Sequence, residues 1–232
     1  MGYNILIAGG TGEVGKRVIE LLRQSDSVNH IHCLVRRPTK NPTASNLSYL
    51  QVDYEDLSEL PCKLSLDTFI CCLGTTIKTA GSAEAFTKVD YEYTLAAAKA
   101  AIKSGANTCI FISSVGANAN SKNLYLRTKG KVERGIQNLN NFEYVHTLRP
   151  SLLVGPRKEF RLGEHIGALL SPLLNPFLLG RLAKYKSIHM DSVAKAISQL
   201  TLNSKPSERL NIYQGSDLIA LSDKHDAGNH LN

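Results

Sequence analysis

The stretch Tyr3–Val18 constrains the fold of this chain more than any other, because an apolar run, a glycine-rich turn and an amphipathic pattern follow one another there. The run Asn4–Ala8 predicts a buried strand. Beyond the turn, apolar residues recur with the period of a helix that has one apolar face; they are Val14, Val18, Leu21 and Leu22. The sequence therefore opens with a strand, a glycine turn and a helix.

The glycines of this turn lie where a phosphate-binding loop needs them. The first turn of a helix has unpaired N–H groups and the positive end of the helix dipole, and both attract phosphate. Gly9 permits the tight turn, Gly12 lets a pyrophosphate approach the backbone, and Gly15 lets the helix pack closely on the strand. We predict a dinucleotide site here. The alternative is a plain strand–turn–helix unit, since the chain has 17 glycines and such spacings arise by chance.

Further apolar runs alternate with helical patterns along the chain. Strands are predicted at Ile31–Val35, Tyr49–Asp53, Thr68–Leu73, Thr108–Ser113, Tyr144–Leu148 and Arg209–Tyr213, and helices at Ser82–Ser104, Asn123–Asn138 and Asp191–Leu202. This alternation predicts an α/β fold with a doubly wound parallel sheet, the Rossmann fold that binds NAD(P). We expect one domain over residues 1–232, in which residues 151–186 form a small C-terminal elaboration on the substrate side. The polar stretch Ser222–Asn232 is expected to fray.

Composition narrows the classes of function. The net charge of +7 is moderate and the Lys and Arg residues are scattered, which argues against a nucleic-acid partner. The five cysteines have no zinc-site spacing, so no metal site is expected. The odd cysteine count and the lack of a signal peptide predict a cytoplasmic protein. No membrane association is expected, because no apolar stretch reaches about 18 residues; Ile166–Leu179 comes nearest and contains Pro172 and Pro176. Both a monomer and a homodimer are compatible with the sequence.

Arg36 and Arg37 follow the second predicted strand, where an acidic residue would accept from the ribose 2′-hydroxyl of NAD. A guanidinium instead pairs with a 2′-phosphate, so NADP(H) is the predicted cofactor. The alternative is a pair of solvated surface arginines. Asp53, after the third strand, has two interpretations of equal weight, a contact with the adenine amino group or a helix cap.

Tyr125 and Lys129 are spaced to share one face of a helix. A lysine ammonium beside a phenol favours the phenolate, which suits a phenol that exchanges a proton with an alcohol or carbonyl. Ser114 ends the preceding strand and is placed to hydrogen-bond the same oxygen. We predict these three as catalytic residues. The alternative is an ordinary amphipathic helix with a boundary tyrosine.

Together these motifs resemble the short-chain dehydrogenase/reductase superfamily in an atypical form, and within it the branch of the human HIV Tat-interacting protein and its bacterial relatives. The resemblance extends over about residues 3–215. The stretches that carry it, besides the glycine turn and the arginine pair, are Cys71–Thr76, Val89–Tyr91, Ile112–Ala117, Leu124–Leu126, Lys129–Glu133 and Leu148–Pro150.

The resemblance implies a role for each matching residue. The pyrophosphate would be held by Gly9, Thr11, Gly12, Glu13, Val14 and Gly15, and the 2′-phosphate by Arg36 and Arg37. Leu73 and Gly74 would flank the nicotinamide ribose, and residues after Pro150, such as Leu152 and Leu153, would touch the nicotinamide. Tyr125 would be the acid/base and would also contact the cofactor, Lys129 would hold the ribose and tune Tyr125, and Ser114 would polarise the carbonyl. Cys72–Thr75 replaces the Asn-Asn-Ala-Gly of many members, so an asparagine-supported proton relay does not carry over.

Two functions are compatible with this pattern. The first is an NADP(H)-dependent oxidoreductase that moves a hydride between the nicotinamide and a small carbonyl or alcohol. The second is a non-catalytic NADPH-binding sensor or scaffold. The Ser–Tyr–Lys set favours the enzyme, since a sensor does not need a tuned phenol.

Overall fold

The computed structural model describes residues 2–39, 44–155, 184–203 and 206–229. Within them, nine strands are assigned: β1 Tyr3–Ala8, β2 Val28–Val35, β3 Leu47–Gln51, β4 Thr68–Cys71, β5 Thr108–Ile112, β6 Tyr144–Arg149, β7 Leu153–Val154, β8 Ile188–His189 and β9 Leu210–Gln214. The third strand begins and ends two residues earlier than the sequence predicted, because Val52 and Asp53 already belong to the loop that leaves the sheet.

Seven of these strands form one parallel sheet in the order β3-β2-β1-β4-β5-β6-β9, and β7 and β8 form a separate parallel pair. The chain starts in the middle of the sheet, moves outward to β3, and then crosses back to β4 on the other side of β1. The carboxyl ends of β1 and β4 therefore meet at the point where the strand order reverses, which is where doubly wound sheets bind their ligands. The predicted fold class is confirmed.

The helices cover both faces of this sheet. They are α1 Glu13–Arg23, α2 Ile77–Ala80, α3 Ala83–Thr87, α4 Tyr93–Lys103, α5 Leu124–Gln137, α6 Met190–Asn203 and α7 Ser216–Asn229. One apolar cluster joins α1 and α6 to one face, through residues such as Val18 and Val193. A second cluster joins α4 and α5 to the other face, through Phe69, Ala97 and Ile136.

The long helix predicted at Ser82–Ser104 is present, but it is not regular. Ser82 is its N-cap, and the Ser82 hydroxyl accepts a hydrogen bond from the backbone N–H of Ala85 at 3.1 Å. Between α3 and α4 the helix widens into a π-helical turn at Lys88–Glu92. Turns of this kind insert one extra residue into a helix and change the direction of the side chains around it.

The prediction that Ser222–Asn232 frays is wrong as far as Asn229, because Ser216–Asn229 forms helix α7. Leu218 of this helix is fully buried, and Asp226 pairs with Lys195 of α6, with 2.7 Å between Oδ2 and Nζ. Tertiary packing on α6 therefore orders a segment whose own composition does not favour a helix. The apolar stretch Ile166–Leu179 lies outside the described residues.

Candidate active site

The glycine turn between β1 and α1 leaves no room for a side chain at Gly9 or Gly15. Gly9 has φ +81°, and a Cβ there would lie 2.6 Å from the backbone carbonyl carbon of Cys72, the first residue after β4. A Cβ on Gly15 would lie 2.3 Å from the carbonyl oxygen of Gly9. Gly12 is the N-cap of α1 and provides no side-chain hydrogen bond to the helix. The first-turn N–H groups are thus left for an anion, and the cradle fits a pyrophosphate.

The remaining residues of the turn differ in their surroundings. Thr11 is exposed, whereas Val14 is buried against the core. The Glu13 carboxylate lies 3.1 Å from Arg17, whose Nε is 2.6 Å from Asp191 of α6. The Glu13 side chain therefore helps to join α1 to α6, which leaves its backbone as the part that faces the turn.

A cleft of about 560 Å³ lies beyond the carboxyl ends of β2 and β3. It is lined by Arg36, Gln51, Val52, Asp53, Tyr54, Glu55 and Tyr93. Tyr54 and Tyr93 stack with their ring centroids 5.1 Å apart, and the Tyr93 hydroxyl donates to Glu55 Oε1 at 3.1 Å. Arg37 is exposed and lies outside this lining.

Asp53 caps no helix, because residues 54–67 form turns and bends, and its contact with the adenine amino group stays a prediction. Its Oδ1 accepts a hydrogen bond from the backbone N–H of Glu55 at 2.9 Å, as in an Asx turn. This oxygen is therefore used to shape the loop that follows β3, and Asp53 also lines the cleft.

Tyr125 and Lys129 lie on consecutive turns of α5, which begins after the N-cap Asn123. The Lys129 ammonium is 6.0 Å from the centroid of the Tyr125 ring, and that ring also contacts Phe86 at a centroid distance of 5.9 Å. Tyr125 is 36% exposed, whereas Lys129 is 5% exposed. The phenol thus lies at the surface of the site with the ammonium beneath it.

Asp90, which the sequence analysis did not single out as a site residue, completes this group. It lies in the π-helical turn and is 1% exposed, and its Oδ1 is 2.7 Å from Lys129 Nζ. Its Oδ2 accepts from the backbone N–H of Thr75 at 2.9 Å. Burial alone would lower the pKa of Lys129, but the attraction of the Asp90 carboxylate, added to that of Tyr125 and Cys71, outweighs burial, so the pKa lies above its usual value.

Leu73 and Gly74 leave β4 directly beside this pair. A Cβ on Gly74 would lie 3.7 Å from Lys129 Nζ and 3.8 Å from Asp90 Oδ1, so the exposed Gly74 backbone borders both charged groups. The backbone of Cys72 and Leu73 also packs against Gly9. The turn after β4 therefore connects the glycine cradle to Tyr125 and Lys129.

Ser114 and Leu153 are less closely tied to this group. The Ser114 hydroxyl is 3.4 Å from the carbonyl oxygen of Val115, a long and weak hydrogen bond. Leu153 is half-buried in β7, which pairs with β8. Both residues lie beyond the carboxyl ends of β5 and β6, and their roles stay predictions.

A second charged group, which the sequence analysis did not predict, lies behind the site. Glu133 of α5 is 5% exposed. Its carboxylate accepts hydrogen bonds from Nε and Nη2 of Arg149 and from the Ser113 hydroxyl. This network joins β5, α5 and β6, and so fixes the helix that carries Tyr125 and Lys129. No spacing in the sequence distinguishes these residues from ordinary surface polar residues.

The strand order, the glycine cradle at the switch point and the cleft beyond β2 define a nucleotide-binding protein of the Rossmann class. The model of the NAD dependent epimerase/dehydratase family matches residues 5–212. The chain belongs to this family, and the resemblance to the short-chain dehydrogenase/reductase superfamily is confirmed.

Relatives and solved structures agree with this assignment. The mitochondrial protein FMP52 of Candida albicans is 35% identical over 222 residues, covering 93% of this chain and 96% of the relative. Protein HTATIP2 of Rattus norvegicus is 34% identical over 164 residues, covering 69% of this chain and 67% of the relative. MoeE5 with UDP-glucose and NAD superposes with a TM-score of 0.66 at 15% identity over 95% of this chain and 81% of that one. Human SDR39U1 with NADPH superposes with a TM-score of 0.61 at 16% identity, over 91% of this chain and 74% of that one.

The prediction of a cytoplasmic protein is contradicted by these relatives. The FMP52 proteins of Candida albicans, Lodderomyces elongisporus, Eremothecium gossypii and Coccidioides immitis are all named as mitochondrial. The cysteine pattern reports only a reducing environment and does not distinguish one intracellular compartment from another. In the described part of the chain, no helix has both the length and the apolar character needed to cross a membrane.

Proposed function

We propose that this protein is an NADP(H)-dependent oxidoreductase that acts on a small carbonyl or alcohol, with Tyr125 as the acid/base. The observation that carries the proposal is the placement of Tyr125 over the buried Lys129 ammonium, at the edge of the sheet that holds the glycine cradle. A half-exposed phenol above a buried cation is an unusual arrangement for a residue with only a packing role. It is suited to a phenol that gives up and regains a proton.

Each residue has one task in this proposal. The nicotinamide, when bound, supplies or accepts the hydride. Tyr125 donates a proton to the carbonyl oxygen during reduction and removes it from the alcohol during oxidation. Lys129 stabilises the negative charge that develops on the phenol oxygen, and Ser114 donates a hydrogen bond to the substrate oxygen. Gly74, which has no side chain, leaves room for the cofactor ribose beside Lys129.

The preference for NADP(H) rests on Arg36. Its guanidinium lines the cleft next to the tyrosine stack, so a 2′-phosphate on the adenosine ribose would find a cation there. The solved structures of similar fold contain NAD in one case and NADPH in another, so they do not decide between the two cofactors.

Substitution of Tyr125 by Phe tests the proposal. We expect NADPH binding to be retained and turnover to fall by about 100-fold or more, the usual contribution of a positioned acid/base. Tyr144→Phe is the matched control, because Tyr144 begins β6 and so lies at the opposite edge of the sheet. If Tyr125→Phe retains full turnover of an accepted carbonyl, the role of Tyr125 is wrong. If NADPH binds but no aldehyde or ketone is reduced by either protein, the sensor or scaffold function replaces the enzyme.

We also propose that the protein works in or on mitochondria, as the names of its FMP52 relatives indicate for those proteins. Fractionation of cells that express the tagged full chain tests this location. Recovery with cytosolic marker proteins would contradict it.

A further inference from the structure

A buried carboxylate next to a buried amine requires a physical explanation. Asp90 and Lys129 are 1% and 5% exposed, and 2.7 Å separates Oδ1 from Nζ. Burial of either charge without its partner would be costly, and an isolated buried lysine loses its proton at a much lower pH than an exposed one. The pair is therefore stable only as a unit.

The backbone around Asp90 shows how the carboxylate reaches this position. Asp90 lies in the π-helical turn Lys88–Glu92, which interrupts an otherwise continuous helix. The turn brings the carboxylate toward β4, where Oδ2 accepts from the backbone N–H of Thr75. One carboxylate thus contacts both the catalytic helix and the loop that follows β4.

The titratable groups that face Lys129 come from three elements. They are Asp90 on the π-helical turn, Tyr125 on α5 itself, and the Cys71 thiol on β4. Burial raises the pKa of Cys71, so this thiol is neutral at neutral pH and does not balance the ammonium charge. Tyr125 is the acid/base of the proposed reaction and cannot serve as a permanent counter-ion. Asp90 is left as the group that keeps Lys129 charged.

We infer that Asp90 is a positioning residue for the proposed acid/base pair: its carboxylate keeps the buried Lys129 protonated and ties it to the Gly74–Thr75 turn. The inference rests on the proposed function, because Lys129 matters to the reaction only if Tyr125 exchanges a proton. The charge on Lys129 at neutral pH is then set by Asp90 rather than by solvent. Without that carboxylate, Lys129 would be neutral at neutral pH and would no longer favour the phenolate.

NMR titration of the assigned Lys129 side chain tests this without substrate or cofactor. In the unmodified protein we expect Lys129 to remain protonated up to or beyond about pH 10.4, the ordinary lysine value. In Asp90→Asn we expect its titration midpoint to fall by about four pH units, which leaves Lys129 mostly neutral at neutral pH. Asparagine still offers an oxygen to the Thr75 N–H, so this variant removes the charge and keeps the loop contact. Glu92→Gln is the control, because Glu92 lies in the same π-helical turn but is exposed.

Two results would overturn the inference. One is a Lys129 midpoint near or below neutral pH in the unmodified protein. The other is an Asp90→Asn midpoint that stays about one pH unit or more above neutral pH, because Lys129 would then remain charged without its carboxylate.

If Asp90→Asn does not fold, the double variant Asp90→Asn with Lys129→Met decides the matter. We expect the double variant to fold, because it leaves no unpaired buried charge. If the double variant also fails to fold, the Asp90 carboxylate is needed for more than its pairing with Lys129 and the inference is wrong.

Turnover supplies a second readout. In Asp90→Asn, the limb of the pH–rate profile that depends on Tyr125 should move to higher pH, because a neutral Lys129 no longer favours the phenolate. A merely structural role for Asp90 would lower the rate at every pH without moving the limb. Failure of the proposed function is distinct: Tyr125→Phe would then keep its turnover while Lys129 still titrates as expected.

Discussion

Arg36→Ala should separate the two nicotinamide cofactors. Arg36 lines the open cleft beyond β2 together with Asp53 and Glu55. Of these carboxylates, Glu55 already pairs with Lys88 at 2.8 Å and accepts a hydrogen bond from the Tyr93 hydroxyl. The charge of Arg36 is therefore not neutralised by Glu55. Its guanidinium is therefore available to a 2′-phosphate.

The size of the effect follows from this exposure. A hydrogen bond to a charged group contributes about 1.5–3 kcal/mol, and an exposed arginine in an open cleft belongs at the lower end, about 1.5–2 kcal/mol. Each 1.4 kcal/mol changes a dissociation constant about tenfold, so the Kd for NADPH should rise about 12- to 30-fold. The Kd for NADH should stay within about twofold, because NADH has no 2′-phosphate to lose.

Nicotinamide fluorescence measures both constants directly, since the chain contains no tryptophan to interfere. Arg37→Ala is the matched control: Arg37 is the neighbouring arginine but lies outside the cleft lining, so a smaller effect is expected. The difference between the unmodified protein and Arg36→Ala should also shrink as salt is added, because exposed charges are screened. Equal weakening of NADPH and NADH, or no weakening of either, would refute the assignment of Arg36 to the 2′-phosphate.

Two further predictions concern stability. Leu218→Ala should lower the free energy of unfolding in urea by about 2–3 kcal/mol, because Leu218 is fully buried. The neighbouring Ile219 is 44% exposed, so Ile219→Ala should change this free energy by less than about 0.5 kcal/mol. Equal effects of the two substitutions would contradict the packing of α7. Burial lowers the pKa of His146 from 6.5 to about 4, so the folded state binds fewer protons than the unfolded chain between these values and loses stability as the pH falls. His146→Gln should reduce that loss, measured as unfolding free energy at pH 7 and pH 4; an unchanged pH dependence would show that His146 does not contribute to it.

Much of the fold could be predicted because strands buried on both faces are almost continuously apolar. The runs at β1, β4 and β5 contain hardly any polar residues, and the glycine turn fixes where the first strand ends. Helix α7 could not be predicted in this way. After Leu221 the next apolar residue is Ala227, so the segment has no helical period of its own and is ordered by contacts with α6.

The site was only partly predictable for a related reason. Tyr125 and Lys129 are four residues apart on one helix, so the sequence alone brings them together. Asp90 pairs with Lys129 from another helix, and it lies in a π-helical turn that no residue pattern predicts. The network of Glu133, Arg149 and Ser113 is likewise formed by residues distant in the sequence, each of which looks like a surface residue until the sheet brings them together.

Transfer of deuterium from labelled NADPH to a carbonyl compound tests the central claim most directly. The purified full chain would be incubated with NADPH that carries deuterium at the reactive position of the nicotinamide ring, together with a panel of aldehydes and ketones. We predict that one face of the ring delivers its deuterium to the carbonyl carbon of an accepted compound, and that Tyr125→Phe loses this transfer while it still binds NADPH. Tight binding of NADPH with no label in any product would contradict the account and indicate a nucleotide-binding protein without this chemistry.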